Sequence, residues 1–189
     1  MQEDVLIKKY FYNLNYIVLC EMYLNEYLKP DAIEEKDLKK YNPGHLGTSL
    51  SLNFIQANLN YFINKNKLTS KTVIGTGHAG VSLISNLWLN GILKDYYPKY
   101  SLDKNGLNNL IKDFGETIRS EINPEYPETI YDGGELGYSL GVAYGYAINT
   151  EEDIIPCIIG DGEAETGTLC SAWQLKKMLY NKSKVLPII

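Results

Sequence analysis

The stretch Asp153–Gly167 reads DIIPCIIGDGEAETG and decides the fold class of this chain. Its apolar part, Ile154–Ile159, is a short run rich in β-branched residues that ends at Gly160-Asp161-Gly162. Such a run predicts a buried strand of a parallel sheet, followed by a tight turn. The residues from Glu163 to Lys177 then predict a helix. The expected core side of this helix consists of four apolar residues: Leu169, Trp173, Leu175 and Met178.

The turn after this strand has the composition of a phosphate site. Ligands of open α/β sheets bind beyond the carboxyl ends of the strands. Gly160 and Gly162 would let the backbone approach a phosphate closely, and Asp161 would supply a hard oxygen ligand. An acid beside a phosphate is tolerable only when a cation lies between them. The turn therefore suggests a Mg²⁺-diphosphate site, although Asp-Gly by itself is also a common solvated turn.

The run Gly160–Gly167, GDGEAETG, matches a family pattern. It resembles the diphosphate-binding motif of thiamine-diphosphate enzymes and, more narrowly, that of phosphoketolases. The resemblance implies that Asp161 binds Mg²⁺. It also implies that Gly160, Gly162 and Glu163 line the diphosphate of the cofactor.

A second run, Gly133–Leu140, reads GGELGYSL and opens a helix predicted to reach about Ile148. From the residues alone it is a capped helix with one small-residue side: Gly141, Ala143, Gly145 and Ala147. Phosphoketolases carry a closely similar run. The resemblance therefore implies four more cofactor-binding residues: Gly134, Glu135, Leu136 and Gly137. Val142 stands where the family has a histidine.

His45 lies in the loop 42–48, NPGHLGT, before a helix predicted over about Ser49–Ile63. Loops before helix starts often carry binding residues, and a solvated turn histidine is an equally good interpretation of the position alone. Phosphoketolases have Gly-His-Trp-Gly-Thr here. The resemblance implies that His45 is catalytic and that His45 and Thr48 bind substrate, with Leu46 replacing the family tryptophan.

His78 lies in Gly75–Gly80, GTGHAG, between a short strand predicted over 71–75 and an apolar helix predicted from Val81 to about Tyr96. The GxGxxG spacing imitates a dinucleotide fingerprint. Asp95, however, lies near the end of the following helix and not at the end of a second strand, which argues against NAD. Phosphoketolases have a histidine at this place, which implies a catalytic and substrate-binding role for His78.

Three further elements complete the predicted secondary structure. Helical spacing of apolar residues predicts a helix over Tyr10–Leu28, which Lys29-Pro30 would end. A modest helix is predicted over Leu102–Phe114, and a strand over Lys184–Ile189.

Composition limits the function classes. The 189 residues carry a net charge of −5 without a long basic cluster, which argues against a nucleic-acid surface. Cys20, Cys157 and Cys170 lie in apolar surroundings, which predicts buried free thiols in a reducing cytoplasm. The N-terminus lacks a secretory apolar region, and the apolar window Val81–Leu93 is too short to span a bilayer, so we expect no membrane partner.

We therefore predict an α/β fold with a parallel sheet and helices on both faces, the diphosphate half of a thiamine-diphosphate-binding fold. Residues 1–189 would be a single, incomplete diphosphate-binding domain. Phosphoketolases cleave xylulose 5-phosphate or fructose 6-phosphate with inorganic phosphate to acetyl phosphate and an aldose phosphate. The resemblance implies these substrates, thiamine diphosphate and Mg²⁺. It further implies a homo-oligomer or a partner chain that supplies the pyrimidine-binding domain.

Two alternatives remain open. The chain could be a subunit of a split transketolase-type enzyme, or it could be a catalytically inactive remnant or an interaction module. Val142 favours the inactive remnant, because valine can neither transfer a proton nor hydrogen-bond a substrate. In the principal reading we expect an uncovered apolar face, at Val81–Leu93 or on the helix Gly141–Ala147, and hence self-association.

Overall fold

The computed structural model describes residues 2–27, 31, 33–179 and 184–189. The chain divides into two compact units. The helical unit comprises Met1–Leu59 and His78–Glu121, and the sheet unit comprises Asn60–Gly77 and Ile122–Ile189. That residues 1–189 form a single, incomplete diphosphate-binding domain stays a prediction.

The helical unit is built on long α1 (Gln2–Tyr23), which packs against α3 (Gly80–Leu89) and α5 (Lys104–Asp113). Between them in sequence lies α2 (Leu46–Asn66), whose last residues belong to the sheet unit. Apolar residues at helical spacing bury one side of α1 and of α5, so that packing rather than propensity is the source of their stability. Among the fully buried residues of the helical unit are Leu14, Val18, Leu52, Ile84 and Leu110.

Two predicted helix boundaries change. The helix predicted over Tyr10–Leu28 begins earlier and ends at Tyr23, and its predicted stop at Lys29-Pro30 lies outside the described residues. The single helix predicted from Val81 to Tyr96 is wrong, because α3 ends at Leu89 and α4 spans Leu93–Tyr96. Gly91 lies between them at φ +74°, a left-handed conformation that ends helices.

The apolar face expected at Val81–Leu93 is not uncovered. Almost every residue of α3 is buried, and Leu93, at the start of α4, is buried as well. The prediction of an uncovered face at this place is therefore wrong, because the neighbouring α1 and α4 pack against α3.

A single lysine joins the ends of two helices in the helical unit. Lys39 Nζ donates to the carbonyl of Glu21, in the last turn of α1, at 2.7 Å. It also donates to the carbonyls of Ile111 and Phe114, at the end of α5, at 2.8 and 2.6 Å. An ammonium group at helix carboxyl ends satisfies carbonyls that have no partner within the helix and complements the helix dipole. Burial lowers the pKa of Lys39.

The sheet unit contains three parallel strands in the order β1 (Val73–Ile74), β2 (Ile155–Ile158) and β3 (Val185–Ile188). The helix α6 (Ser139–Ile148) lies against all three strands. β2 is buried along its whole length, as the apolar run predicted. The predictions of an α/β fold, a parallel sheet and all three strands are confirmed.

Pro156 interrupts the hydrogen bonding of the central strand. The N–H groups of Ile155 and Ile159 donate to β3 and its flanking residue Lys184. Because successive N–H groups of a strand point to opposite sides, the missing N–H of Pro156 falls on the β1 side. β1 accordingly begins only at Val73, which pairs with Cys157.

The helix predicted over Glu163–Lys177 is wrong as one element. The structure has three short helices there: α7 (Asp161–Ala164), α8 (Gly167–Ala172) and α9 (Leu175–Met178). Thr166 separates the first two, since its backbone is extended and its Oγ1 accepts from the Leu169 N–H at 3.3 Å. A threonine with these bonds is an N-cap, which starts a new helix.

The short helices also change what is buried. Of the predicted core residues Leu169 is fully buried, whereas Trp173 and Met178 are exposed. Cys20 and Cys157 are buried as predicted, but Cys170 on α8 is exposed. Burial is the main cause that raises the pKa of the Cys157 thiol to about 12.

The small residues of α6 do not share one side, contrary to prediction. Ala143 and Ala147 are buried in the core of the sheet unit. A Cβ built on Gly141 or Gly145 would meet no atom within 4 Å. Residues 141 and 145 are one turn apart, as are 143 and 147, so the two pairs lie on different sides of the helix.

Candidate functional site

The helical unit carries both histidines. His45 precedes the first residue of α2, and its Nδ1 lies 3.2 Å from the backbone N of Thr48 and 3.0 Å from Thr48 Oγ1. A backbone N–H can only donate, so Nδ1 accepts and the proton of the neutral ring is on Nε2. His45 thus caps α2, a role that the sequence analysis did not foresee.

His78 is placed by a close approach of two backbone segments. A Cβ on Gly80 would lie 2.2 Å from the carbonyl oxygen of Ser120, so only glycine lets this segment lie against the start of α3. Glu121 follows directly, and its Oε1 lies 3.3 Å from His78 Nδ1. A carboxylate can only accept, so this contact favours a proton on Nδ1 of His78, and Nε2 of the neutral ring would then be an acceptor.

The structure therefore brings together three predicted site residues: His45, Thr48 and His78. The two imidazole ring centroids are 6.5 Å apart, and both side chains are exposed. With His45 protonated on Nε2 and His78 on Nδ1, the pair would offer one donor and one acceptor to a ligand. The catalytic and substrate-binding roles themselves stay predictions.

The sheet unit carries the glycine turn. Gly160 follows the buried Ile159, and Asp161 and Gly162 open α7 with both residues exposed. A Cβ on Gly160 would lie 3.1 Å from Thr76 Cγ2 in the segment after β1, whereas one on Gly162 would meet nothing within 4 Å. The open backbone at Gly162 and the exposed carboxylate of Asp161 therefore lie at the carboxyl end of the sheet, where ligands of such folds bind.

Glu163 does not share this exposure, for its side chain is 1% exposed. Oε1 accepts from the backbone N–H of Gly137 and of Ser139, each at 3.1 Å. Oε2 accepts more weakly from the Gly160 N–H at 3.4 Å. The N–H groups of Gly137 and Gly160, two predicted cofactor-binding residues, are thus engaged within the protein.

The segment before α6 is a bonded loop. The Gly134 N–H donates to Asp132 Oδ1 at 3.0 Å, and the hydroxyl of Tyr131 donates to the carbonyl of Glu135. Burial is the first cause that raises the pKa of Tyr131 to about 12, so this hydroxyl keeps its proton at neutral pH. Glu135 and Leu136 are themselves exposed.

Gly137 ends this loop in a conformation that needs glycine. Its φ is +98°, and a Cβ would meet Thr168 Oγ1 at 2.3 Å and Thr166 Oγ1 at 2.4 Å. Gly137 thus lets the loop before α6 approach the start of α8. Five residues beyond it, Val142 is half-buried and packs against the core of the sheet unit.

The donor set fits Mg²⁺ only in part. Within the described ranges, no group of three or more His, Cys, Asp and Glu side chains lies together as a metal site would require. Asp161 supplies one hard, exposed oxygen, and an octahedral Mg²⁺ takes its other ligands from water and substrate phosphates. The residues present therefore fit Mg²⁺ bound jointly with a diphosphate. In the part of the chain that the structure describes, every helix is too short or too polar to cross a membrane.

Comparisons with known proteins give consistent matches over nearly the whole chain. The XFP N-terminal domain profile matches residues 2–189. A probable phosphoketolase of Chlorobaculum tepidum is 38% identical, over 97% of this chain and 24% of that protein. Probable phosphoketolase 1 of Rhizobium meliloti is 40% identical over 93% of this chain and 23% of that protein. A probable phosphoketolase of Clostridium acetobutylicum is 40% identical over 97% and 24%. The chain thus spans about a quarter of the length of these relatives.

Proposed function

Because this chain belongs to the XFP N-terminal domain family, we propose that it forms the part of a phosphoketolase that holds the cofactor diphosphate. The substrates would be xylulose 5-phosphate or fructose 6-phosphate with inorganic phosphate, and the products acetyl phosphate and an aldose phosphate. The observation that carries the proposal is the exposed Asp161-Gly162 turn at the carboxyl end of a buried parallel strand.

Thiamine diphosphate, when bound, supplies the carbon nucleophile and electron sink for cleavage of a carbon–carbon bond. The part of this chain is to hold the diphosphate end. Asp161 would bind Mg²⁺, and the open backbone at Gly162 would approach the diphosphate without a side chain between them. The loop Gly134–Gly137 would bind the same cofactor.

His45 and His78 would contact the substrate. His45 Nε2–H donates to a substrate oxygen, and His78 Nε2 accepts a proton from a substrate hydroxyl. Glu121 at His78 Nδ1 stabilises the imidazolium that forms, which is the ordinary use of a carboxylate behind a general base.

The rest of the assembly is inferred from the family. A pyrimidine-binding domain would come from a second copy, from a partner chain or from further sequence of the same protein. A cytoplasmic location is proposed on the free thiols of Cys20 and Cys157, which suit a reducing compartment.

Calorimetry of Mg²⁺ binding with and without thiamine diphosphate tests the central claim. We expect measurable Mg²⁺ binding only with the cofactor present. Asp161→Ala should abolish it, whereas the matched control Glu165→Ala, an exposed neighbour on the same segment, should keep it. Equal binding by the wild type and Asp161→Ala would mean that the turn is structural.

Nitrogen-15 NMR of the imidazole rings tests the histidine assignments. The chain has only two histidines, so His45→Gln and His78→Gln assign both rings unambiguously. In the neutral state we expect the proton of His45 on Nε2 and that of His78 on Nδ1. Glu121→Gln should shift the His78 tautomer and leave His45 unchanged, and identical tautomers in the two rings would contradict the proposed roles.

A further inference from the structure

We propose that Glu163 is a positioning residue that holds the walls of the diphosphate site, and that it does not itself touch the cofactor. This inference rests on the proposed function, because it assumes that the diphosphate lies at the Gly160–Gly162 turn. It reassigns a residue for which the family resemblance implies direct contact with the diphosphate.

The first argument is burial with hydrogen bonds to both oxygens. Glu163 is 1% exposed, and its carboxylate accepts from Gly137, Ser139 and Gly160. A carboxylate that already accepts several backbone N–H groups has little capacity or space left for an exposed ligand. A buried negative charge would also repel a diphosphate if no cation lay between them.

The second argument is that the bonds join segments far apart in sequence. Oε1 binds the loop that leads into α6, and Oε2 binds the turn after β2. Gly75, directly after β1, lies against the same carboxylate, since a Cβ on Gly75 would lie 1.9 Å from Glu163 Oε2. One side chain therefore sets the separation of three segments of the sheet unit.

The third argument is that the chemistry requires a glutamate. The three neighbours are donors only, so the side chain must present two acceptor oxygens. Glutamine would turn an NH₂ donor toward at least one backbone N–H, and aspartate is one methylene shorter. Glu163 takes up the N–H groups of Gly137, Ser139 and Gly160, so within the glycine turn only the exposed Asp161 and Gly162 are left for the cofactor.

Amide hydrogen exchange measured by NMR, without cofactor, tests the positioning directly. Glu163→Gln keeps one carbonyl oxygen, which we expect to stay with Gly137 and Ser139. The Gly160 amide should then exchange roughly tenfold faster, the effect of losing about one hydrogen bond. The amides of Ile155 and Ile159 report whether the sheet is intact, and Glu165→Gln is the matched control. An unchanged Gly160 amide in a folded Glu163→Gln protein would overturn the proposal.

Binding of inorganic pyrophosphate and of thiamine diphosphate, each with Mg²⁺, tests the consequence. If Glu163 positions the walls, Glu163→Gln should weaken both ligands by a similar factor, roughly tenfold. Removal of a charge that faced the diphosphate would instead tighten the binding of pyrophosphate. Tighter binding, or unchanged binding of both ligands, would overturn the proposal.

Gly75→Ala provides a second route should Glu163→Gln fail to fold. It leaves the carboxylate in place but pushes it from the β1 side, and we expect the same faster exchange at Gly160 and weaker binding. Unchanged exchange and binding in Gly75→Ala would count against the proposal. If the wild type binds neither ligand, the proposed function falls, and the exchange data alone decide whether Glu163 holds the segments.

Discussion

Glu21 in the helical unit and Glu163 in the sheet unit are both almost completely buried, yet their surroundings differ. Glu163 accepts three backbone N–H groups. Glu21 Oε1 accepts from the Ser85 hydroxyl at 2.6 Å, and its Oε2 has no partner among the described residues. Burial, partly offset by Ser85 and Lys39, raises the pKa of Glu21 to about 8.

The difference teaches that burial of a carboxylate does not reveal its role. Three backbone N–H donors hold the Glu163 carboxylate in place, and the carboxylate in turn holds three segments of the sheet unit together. With one hydroxyl donor, the Glu21 carboxyl keeps its proton at neutral pH and acts as a neutral link between α1 and α3. The backbone donors around an acid are therefore a better guide to its task than its exposed fraction.

The largest effect on stability should follow removal of the Glu163 carboxylate. Glu163→Ala leaves the buried N–H groups of Gly137 and Ser139 and the part-buried N–H of Gly160 without an acceptor, at a cost of about 1–3 kcal/mol for each buried group. We expect the free energy of unfolding, measured in urea, to fall by about 3 kcal/mol or more. Glu165→Ala, which is exposed, should stay within about 0.5 kcal/mol of the wild type. A loss below about 1 kcal/mol for Glu163→Ala would erase the distinction between the two glutamates.

Replacing glutamate by glutamine should change the free energy of unfolding in opposite directions at positions 163 and 21. The folded pKa of Glu21 lies above its ordinary value, so the folded state binds more protons between about pH 4.5 and 8. The free energy of unfolding contributed by this group should therefore fall as pH rises, by up to about 1.4 kcal/mol per pH unit. Glu21→Gln should remove this slope and stabilise the protein at pH 7.5 by up to about 4 kcal/mol relative to the wild type.

The control for this measurement is Glu151→Gln, an exposed position. Its stability curve between pH 5 and 8 should run parallel to that of the wild type. If Glu21→Gln runs parallel as well, Glu21 is ionised in the folded protein and the comparison with Glu163 fails.

A smaller effect should come from crowding the loop that Glu163 holds. Gly137→Ala combines a positive φ with contacts to Thr166 and Thr168, and we expect a loss of about 2 kcal/mol. Gly134→Ala, whose Cβ would meet only Asp132 Oδ1 at 3.3 Å, should cost less than about 1 kcal/mol. Thermal unfolding of the two variants side by side decides the matter, and equal losses would show that the loop is not tightly held.

The smallest effect should be a gain. Gly145 is exposed on α6, and a Cβ there would meet no atom within 4 Å. Gly145→Ala should therefore raise the free energy of unfolding by about 0.5–1 kcal/mol, because alanine loses less backbone entropy in a helix. A destabilised Gly145→Ala would indicate that this side of α6 is covered in solution.

The sequence predicted what local pattern controls. The apolar run before Gly160 gave β2, and the glycine turns placed His45 before α2 and His78 before α3. The breaks that were missed also had local signals, since Asn90-Gly91 and Thr166-Gly167 are ordinary helix-ending and helix-starting pairs. The periodicity of apolar side chains predicted continuous helices across both pairs, and the pairs were the better guide.

The burial of Glu163 could not be predicted from local sequence patterns. Its charge and its place after a Gly-Asp-Gly turn favoured exposure, but its partners at Gly137 and Ser139 are 26 and 24 residues away. Such burial depends on where other segments lie after folding. The same holds for Glu121, whose pairing with His78 depends on the close approach at Gly80.

The strand pairings around Pro156 also predict the order in which the sheet assembles. β2 and β3 pair over four residues, whereas β1, cut short on the side of the missing N–H, contributes two. The β1–β2 pairing joins positions 84 residues apart, Val73 with Cys157 and Ile74 with Ile158, and the β2–β3 pairing joins positions about 30 apart. Because loop closure grows costlier with length, we expect β2 and β3 to meet first and β1 to add last. Pulse-labelled exchange would then protect the Ile155 and Ile159 amides before that of Gly75. The β1 edge of the sheet would thus be the last part of it to form and, by the same logic, the first to open.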